Sequence, residues 1–295
     1  MTYTYEQKLE LAKMARVPNA VINIPESHEA YIEMVDVKEC YLETRNGQTH
    51  YYHIQNKDKK AGVPLVVNVH GGGFCKGYDE VDTAFSAMIA MQTGAVVLDL
   101  DYKLAPEYPF PVAYEEVYDT VKWAYENADE LGIDKSRIII CGHSSGGNVV
   151  AAVTMEATRT KEFEIRLQIL DYPPMDLNTD PADKPEASKS HVPFEKARAY
   201  NSLYTSTEDE TKNPYVSMIF ATKDMLEELP DSLVITAGLD ALHNEAEKYA
   251  FMMMEAGVKV TMKKYSNSNH GFIIYCTGAA WPQAHKLIVD TIRNL

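Results

Sequence analysis

Cysteine is scarce in this chain of 295 residues. Its four cysteines, Cys40, Cys75, Cys141 and Cys276, show neither close pairing nor C-x-x-C spacing. That pattern argues against a disulfide framework or a bound zinc, and fits reduced thiols. Positive charge is also in deficit. There are 28 Lys and Arg against 43 Asp and Glu, a formal net charge of −15. So acidic a chain is repelled by nucleic acid and by anionic membranes, and neither is expected as a partner. No run approaches the ~18 apolar residues of a membrane span. The first residues, Met1 to Lys8, lack the basic-then-apolar order of a signal peptide, so a cytoplasmic location is the default expectation. Internal repeats and low-complexity tracts are missing as well.

What the chain does have is enough apolar residue, 45%, for a full globular core. The pattern along it predicts an α/β fold. Residues 3–16 read as a helix and 17–36 as irregular. Val37 to Arg45 and Gln48 to Gln55 flank Asn46-Gly47, a strong hairpin signal. Buried-strand runs follow at Pro64–His70 and Ala95–Tyr102, a short apolar β-type run at Arg137–Cys141, and further strands at 165–171, 232–237 and 258–265. Helical patterns lie at 79–92, 112–131, from Gly147 to about Arg159, at 243–256 and at 279–293. Strands alternating with helices indicate a mostly parallel sheet covered on both faces, with the hairpin at one edge. Residues 173–230 break the rhythm with Pro, Asp, Lys and scattered aromatics, and are too long for an ordinary loop. They are expected, with residues 1–36, to form cap elements on a single domain spanning 1–295.

Chemistry concentrates in a few strings. Gly142-His143-Ser144-Ser145-Gly146 is a G-x-S-x-G pentapeptide between a strand and a helix. Such a turn pushes one serine hydroxyl toward a substrate. A serine needs a base beside it to become a nucleophile. In this chain order the acid and then the base follow the serine. Only His191, His243, His270 and His285 come after Ser144. His191 precedes every plausible acid, His243 opens a helix, and His285 lies inside the last one. His270, in the polar loop Ser266–Phe272, is the expected base. Asp240, just past the C-terminal end of strand 232–237, is the expected acid. Its near rival, Glu245, reads as a solvated residue in the first turn of a helix. The glycines in His70-Gly71-Gly72-Gly73-Phe74 bring bare N–H groups close to a ligand. Gly72 and Gly73, with Ser145, are the expected oxyanion donors. His70 is read as a brace for that loop, and Cys75 as a packed thiol.

These segments resemble the hormone-sensitive-lipase-like branch of the α/β-hydrolase family, the bacterial carboxylesterases with an H-G-G-G motif. The resemblance runs from about residue 60 to the C-terminus. It includes Asp101-Tyr102-Lys103-Leu104-Ala105-Pro106-Glu107-Tyr108-Pro109-Phe110-Pro111, close to the family's D-Y-R-L-A-P-E-x-P-F-P string. It implies an eight-stranded α/β-hydrolase fold with a helical cap. It also implies hydrolysis of small, short-acyl esters by Ser144, His270 and Asp240, with no cofactor and no metal. A homodimer is left open. The chain departs from the family in three places. His143 stands where an acidic residue is usual, Ser145 where Ala is usual, and Ala241 where Pro follows the acid. An amidase or deacetylase using the same residues, and a binding protein on the same fold, are the alternative readings.

Overall fold

The computed structural model describes residues 3–17 and 24–295. Eight strands form one sheet in the order β1-β2-β4-β3-β5-β6-β7-β8. They are β1 (Val35–Thr44), β2 (Gly47–Asn56), β3 (Val63–Val69), β4 (Val96–Asp101), β5 (Ile133–His143), β6 (Leu167–Asp171), β7 (Asp231–Ala237) and β8 (Val260–Tyr265). The hairpin β1–β2 is antiparallel, with Thr44 opposite Gly47, and β2 also runs antiparallel to β4. All other pairs are parallel. The eight-stranded α/β-hydrolase expectation is met.

Ten helices accompany the sheet among the described residues. They are α1 (Tyr5–Ala15), α2 (Glu26–Met34), α3 (Glu80–Thr93), α4 (Val112–Glu126), α5 (Ala128–Leu131), α6 (Ser145–Thr160), α7 (Phe194–Tyr204), α8 (Lys223–Leu226), α9 (His243–Glu255) and α10 (Trp281–Arg293). The central strands show why both faces are covered. In β3, Leu65, Val67 and Val69 join the core under α4 and α6, while Val66 joins the opposite core under α3 and α10. Alternate residues point to opposite faces, so a strand buried on both sides is apolar on both, and the one polar residue of β3, Asn68, donates its buried amide to Asp99 at 2.8 Å. Each such side chain contributes roughly 1.5–3 kcal/mol by leaving water. The last helix reads as a stripe instead: Ala284, His285, Ile288, Val289 and Ile292 face inward.

Two readings need correction. The stretch 17–36, expected to be irregular, holds α2. Pro25 starts this helix, and its buried residue is His28 rather than an aliphatic one. That leaves no apolar period to read. Of this stretch, residues 18–23 lie outside the described ones. The helix expected over 112–131 breaks at Asn127 into α4 and α5, and ends at Gly132 with φ +68°.

The excursion between β6 and β7 is built from short pieces around α7. Tyr204 at the end of α7 is fully buried, its ring stacked 3.7 Å from that of Phe74 in the glycine loop. Helix α1 packs beside α7, and the Lys8 ammonium donates to the Thr205 carbonyl at 2.7 Å. Just past α1, the Arg16 guanidinium donates to the carbonyls of Cys75 and Ala105 and to both oxygens of Glu107. The N-terminal helix is therefore tied to the same loops as α7, above the C-terminal ends of the strands.

Candidate active site

The turn after β5 is forced into an unusual conformation. Ser144 has φ +53° and ψ −122°, a region that L-residues rarely occupy. The Ser144 N–H donates to the Asp171 carbonyl at 2.9 Å, and the Gly147 N–H donates back to the Ser144 carbonyl. The turn closes only because its neighbours are small. A Cβ on Gly146 would stand 2.1 Å from the Val69 carbonyl oxygen, so α6 lies against β3 with no room for any side chain there. The pentapeptide thus lifts the Ser144 side chain out at the sheet's C-terminal rim, where α/β sheets gather their ligands.

Two more loops on that rim reach the serine. Asp240 lies three residues beyond β7 and is 1% exposed. His270 lies five residues beyond β8. Backbone bonds lock their loops together: the Gly238 N–H donates to the Tyr265 carbonyl, and the Leu239 N–H to that of Ser268. His270 Nδ1 stands 2.7 Å from Asp240 Oδ2, and Nε2 stands 2.8 Å from Ser144 Oγ. A carboxylate only accepts, so Nδ1 carries the proton and the Nε2 lone pair faces the hydroxyl. The other Asp240 oxygen accepts the Leu242 N–H at 3.2 Å. Tyr172 packs its ring edge against the imidazole, with centroids 5.0 Å apart.

The other histidines stand elsewhere. His191 lies in the excursion and is held by its own N–H, which donates to Asn269 Oδ1. His243 lies beside Glu247 and Lys264. His285 is buried in α10, with Nε2 at 3.1 Å from the Ile273 carbonyl. His70 stacks on Tyr102 at 4.3 Å, with Nδ1 2.6 Å from the Gly71 carbonyl. Burial lowers the His70 pKa and keeps its ring neutral.

The glycine loop faces the serine directly. A Cβ on Gly71 would touch Ser144 Cβ at 3.3 Å. Gly73, at φ +62°, lies under the Tyr200 ring, which any Cβ there would strike at 2.3 Å. The backbone N–H groups of Gly72, Gly73 and Ser145 donate to no acceptor among the described residues. Cys75 is buried, and its thiol pKa is pushed up to about 12 by loss of solvent, as a packed thiol requires.

A cleft of about 60 Å³ opens over these groups, lined by Ser144, His270 and Asp240 below and by Val192, Phe194 and Tyr200 above. Of the aromatics in the excursion, Phe194 and Tyr200 reach the cleft. Tyr204 is packed under it, Tyr215 turns its hydroxyl to Glu156, and Phe220 is exposed.

A buried ion pair and a buried histidine–carboxylate contact beside the cleft escape sequence reasoning. Glu245, expected in solvent, is buried, 2.6 Å from the Lys184 ammonium on the cleft wall. It also accepts the N–H groups of Met175 and Asp176. Burial pushes its carboxyl up to about 7 against the pull of Lys184. The second contact gives His143 a structural context. Its Nδ1 stands 3.0 Å from an Asp171 carboxylate oxygen, and both side chains are buried. The two residues are register partners across β5 and β6. The acid missing at position 143 is thus balanced by one across the strand, in the residue whose carbonyl holds the Ser144 N–H. An Asp ending the buried strand Leu167–Asp171, apolar but for Gln168, was the signal.

A family profile described as alpha/beta hydrolase fold matches residues 66–274, well over half of the chain. The chain belongs to this family. The motif resemblance is borne out at that level. Among curated relatives of this α/β hydrolase, an arylesterase of Saccharolobus solfataricus is 32% identical, over 73% of this chain and 70% of its own length. The carboxylesterase NlhH of Mycobacterium tuberculosis is 30% identical, over 72% and 67%. Among solved structures, a hyperthermophilic esterase from the archaeon Pyrobaculum calidifontis superposes with a TM-score of 0.83 at 29% identity, covering 100% of this chain and 99% of that one.

Proposed function

We propose that this carboxylic ester hydrolase cleaves small, short-acyl esters through a Ser144–His270–Asp240 triad and an acyl-enzyme. One observation carries the reading. A single hydrogen-bonded line, carboxylate to imidazole to hydroxyl, ends at the floor of the cleft.

Ser144 Oγ attacks the ester carbonyl carbon as His270 Nε2 takes its proton. The carbonyl oxygen becomes an oxyanion and accepts the free N–H groups of Gly72, Gly73 and Ser145. Each such donor is typically worth about 10²–10³ in rate. Asp240 holds the imidazole's tautomer and stabilises its cation without taking the proton. His270 then gives that proton to the departing alcohol, and Ser144 is left acylated. Water attacks the acyl carbon with His270 again as base, and the acid leaves. The chain's own residues supply every group in this cycle, so no cofactor is invoked.

Residues 173–230, with helix α1 packed beside α7, act as the cap, whereas α2, of the same N-terminal stretch expected in the cap, packs on α3 instead. Val192, Phe194 and Tyr200 give the acyl or alcohol group an apolar wall. The cleft volume, about 60 Å³, is well under the roughly 150 Å³ that encloses a benzene ring. It therefore suits a short acyl chain, with a larger alcohol extending toward solvent.

The test is a kcat/KM profile over p-nitrophenyl esters of increasing acyl length. We expect a maximum between acetyl and butyryl and a fall of at least about tenfold by octanoyl, the cost of overfilling a packed wall. A profile that is flat or rises toward long chains would contradict the small-acyl assignment. Turnover of p-nitroacetanilide above that of the matching acetyl ester would move the reaction to an N-acyl bond.

A further inference from the structure

Between α2, α3 and α10, sharing no lining residue with the cleft, lies a second cavity of about 10 Å³, room for one water or one ion. Ile24, Pro25, Val81 and Phe85 line it, together with His28, Cys276 and His285. A nitrogen of each imidazole and the Cys276 sulfur lie within 4.8 Å of one another. His28 is 4% exposed and His285 is 5% exposed. His28 Nε2 and His285 Nδ1 are buried without a hydrogen-bond partner among the described residues.

The opposite nitrogens explain what these two atoms offer. His285 Nε2 stands 3.1 Å from the Ile273 carbonyl, which only accepts, so Nε2 carries the proton and Nδ1 is a bare lone pair. His28 Nδ1 stands 3.2 Å from Ser27 Oγ. With Nδ1–H donating to that hydroxyl, His28 Nε2 is bare as well. Leaving two acceptors buried without a donor is costly unless something electrophilic fills the gap. Cys276 supplies the third group. Its own contact is a long one, 3.7 Å from the Ile273 carbonyl.

We propose that His28, Cys276 and His285 form a binding site for one zinc-type divalent cation, with an open fourth position for water. Two imidazoles and a thiolate suit such a cation better than calcium or magnesium. Around tetrahedral zinc, bonds of about 2.0–2.3 Å place ligand atoms roughly 3.3–3.7 Å apart. Closing from separations of at most 4.8 Å asks each side chain to move by no more than roughly 1 Å. The imidazoles bring neutral lone pairs, as cation binding needs. Cysteine ligates as the thiolate, so the Cys276 proton leaves as the sulfur binds. The balance is two nitrogen–metal bonds and one sulfur–metal bond formed, one proton released to solvent, and no change in oxidation state.

The site joins three distant parts of the chain. His28 is on α2, His285 is on α10, and Cys276 ends the loop that follows His270. In that loop the Ile274 N–H donates to the Tyr172 hydroxyl, whose ring backs the His270 imidazole. A bound cation clamps the N-terminal segment to the loop that holds His270. The scarcity of cysteine spoke against zinc because the ligands lie far apart in sequence.

The probe is cobalt(II), added at mildly alkaline pH to protein stripped with a chelator. The expected result is one cobalt per chain after desalting, with a thiolate-to-cobalt charge-transfer band in the near ultraviolet. Zinc should displace it and raise the melting temperature. Cys276→Ser should abolish the band and the shift while leaving the esterase reaction running. His28→Gln, at the other end of the site, should lose the stoichiometric uptake, and serves alone if the serine variant fails to fold. No charge-transfer band in the wild type overturns the proposal. So does an undiminished band in Cys276→Ser, or undiminished uptake in His28→Gln. Esterase activity is read separately, so failure here leaves the triad assignment standing.

Discussion

Ser144→Ala is expected to lose hydrolysis of p-nitrophenyl acetate by about 10⁵–10⁶ in kcat. The effect is this large because the substitution removes the atom that forms the acyl bond. What remains is the oxyanion pocket and an imidazole with nothing to activate except water. The protein should stay folded. The Ser144 side chain makes one hydrogen bond, to His270. The turn itself is held by backbone, from the Ser144 N–H to the Asp171 carbonyl and from the Gly147 N–H to the Ser144 carbonyl. Alanine meets the strained φ at no greater cost than serine does. Steady-state kinetics beside a thermal melt would check both halves. Turnover within about tenfold of the wild type, in folded protein, would remove Ser144 from the mechanism.

Asp240→Asn should be the next largest, a fall of about 10⁴ in kcat with KM little changed. Asparagine keeps the shape of the carboxyl group, and its carbonyl oxygen can still accept the Leu242 N–H that Oδ1 accepts now. Its amide then turns an NH₂ toward His270 Nδ1. That nitrogen must become the acceptor, so the imidazole proton moves to Nε2, facing Ser144. A base that already carries its proton cannot take another from the hydroxyl. The loss of negative charge also leaves the imidazolium uncompensated at a residue 1% exposed. Measuring kcat and KM separately distinguishes this from a damaged cleft, which would raise KM. A loss below about tenfold would mean that Asp240 does not set the tautomer.

Much of this site was legible in the sequence because its motifs are local. Gly142–Gly146 must be glycine-bounded for the turn to close against Val69. Asp240 follows the buried apolar run of β7 and His270 follows the more polar edge strand β8, so their place on the rim follows from strand order. Pairings between distant residues were harder to see. Nothing near Lys184 announces Glu245, and helix α9 gives its first turn an acidic residue that looks solvated. His143 finds its partner in the neighbouring strand, where register decides what stands opposite. Helix α2 was invisible because its buried face is a histidine. That histidine's neighbours, Cys276 and His285, lie some 250 residues later in the chain. The excursion from 173 to 230 was legible as an interruption. Which of its aromatics line the cleft depends on how α7 sits over Gly73, which no local pattern encodes.

On the proposed mechanism Ser144 Oγ is the nucleophile that becomes acylated. Mapping the site of attachment of a fluorophosphonate tests it most directly, because such a reagent traps a serine only where a base and an oxyanion pocket already activate it. The purified enzyme would be inactivated, digested and read by peptide mass. One adduct per chain is expected, on the peptide carrying Ser144, and none in Ser144→Ala. An adduct on another residue with activity lost in parallel, or full activity with no adduct, would contradict it.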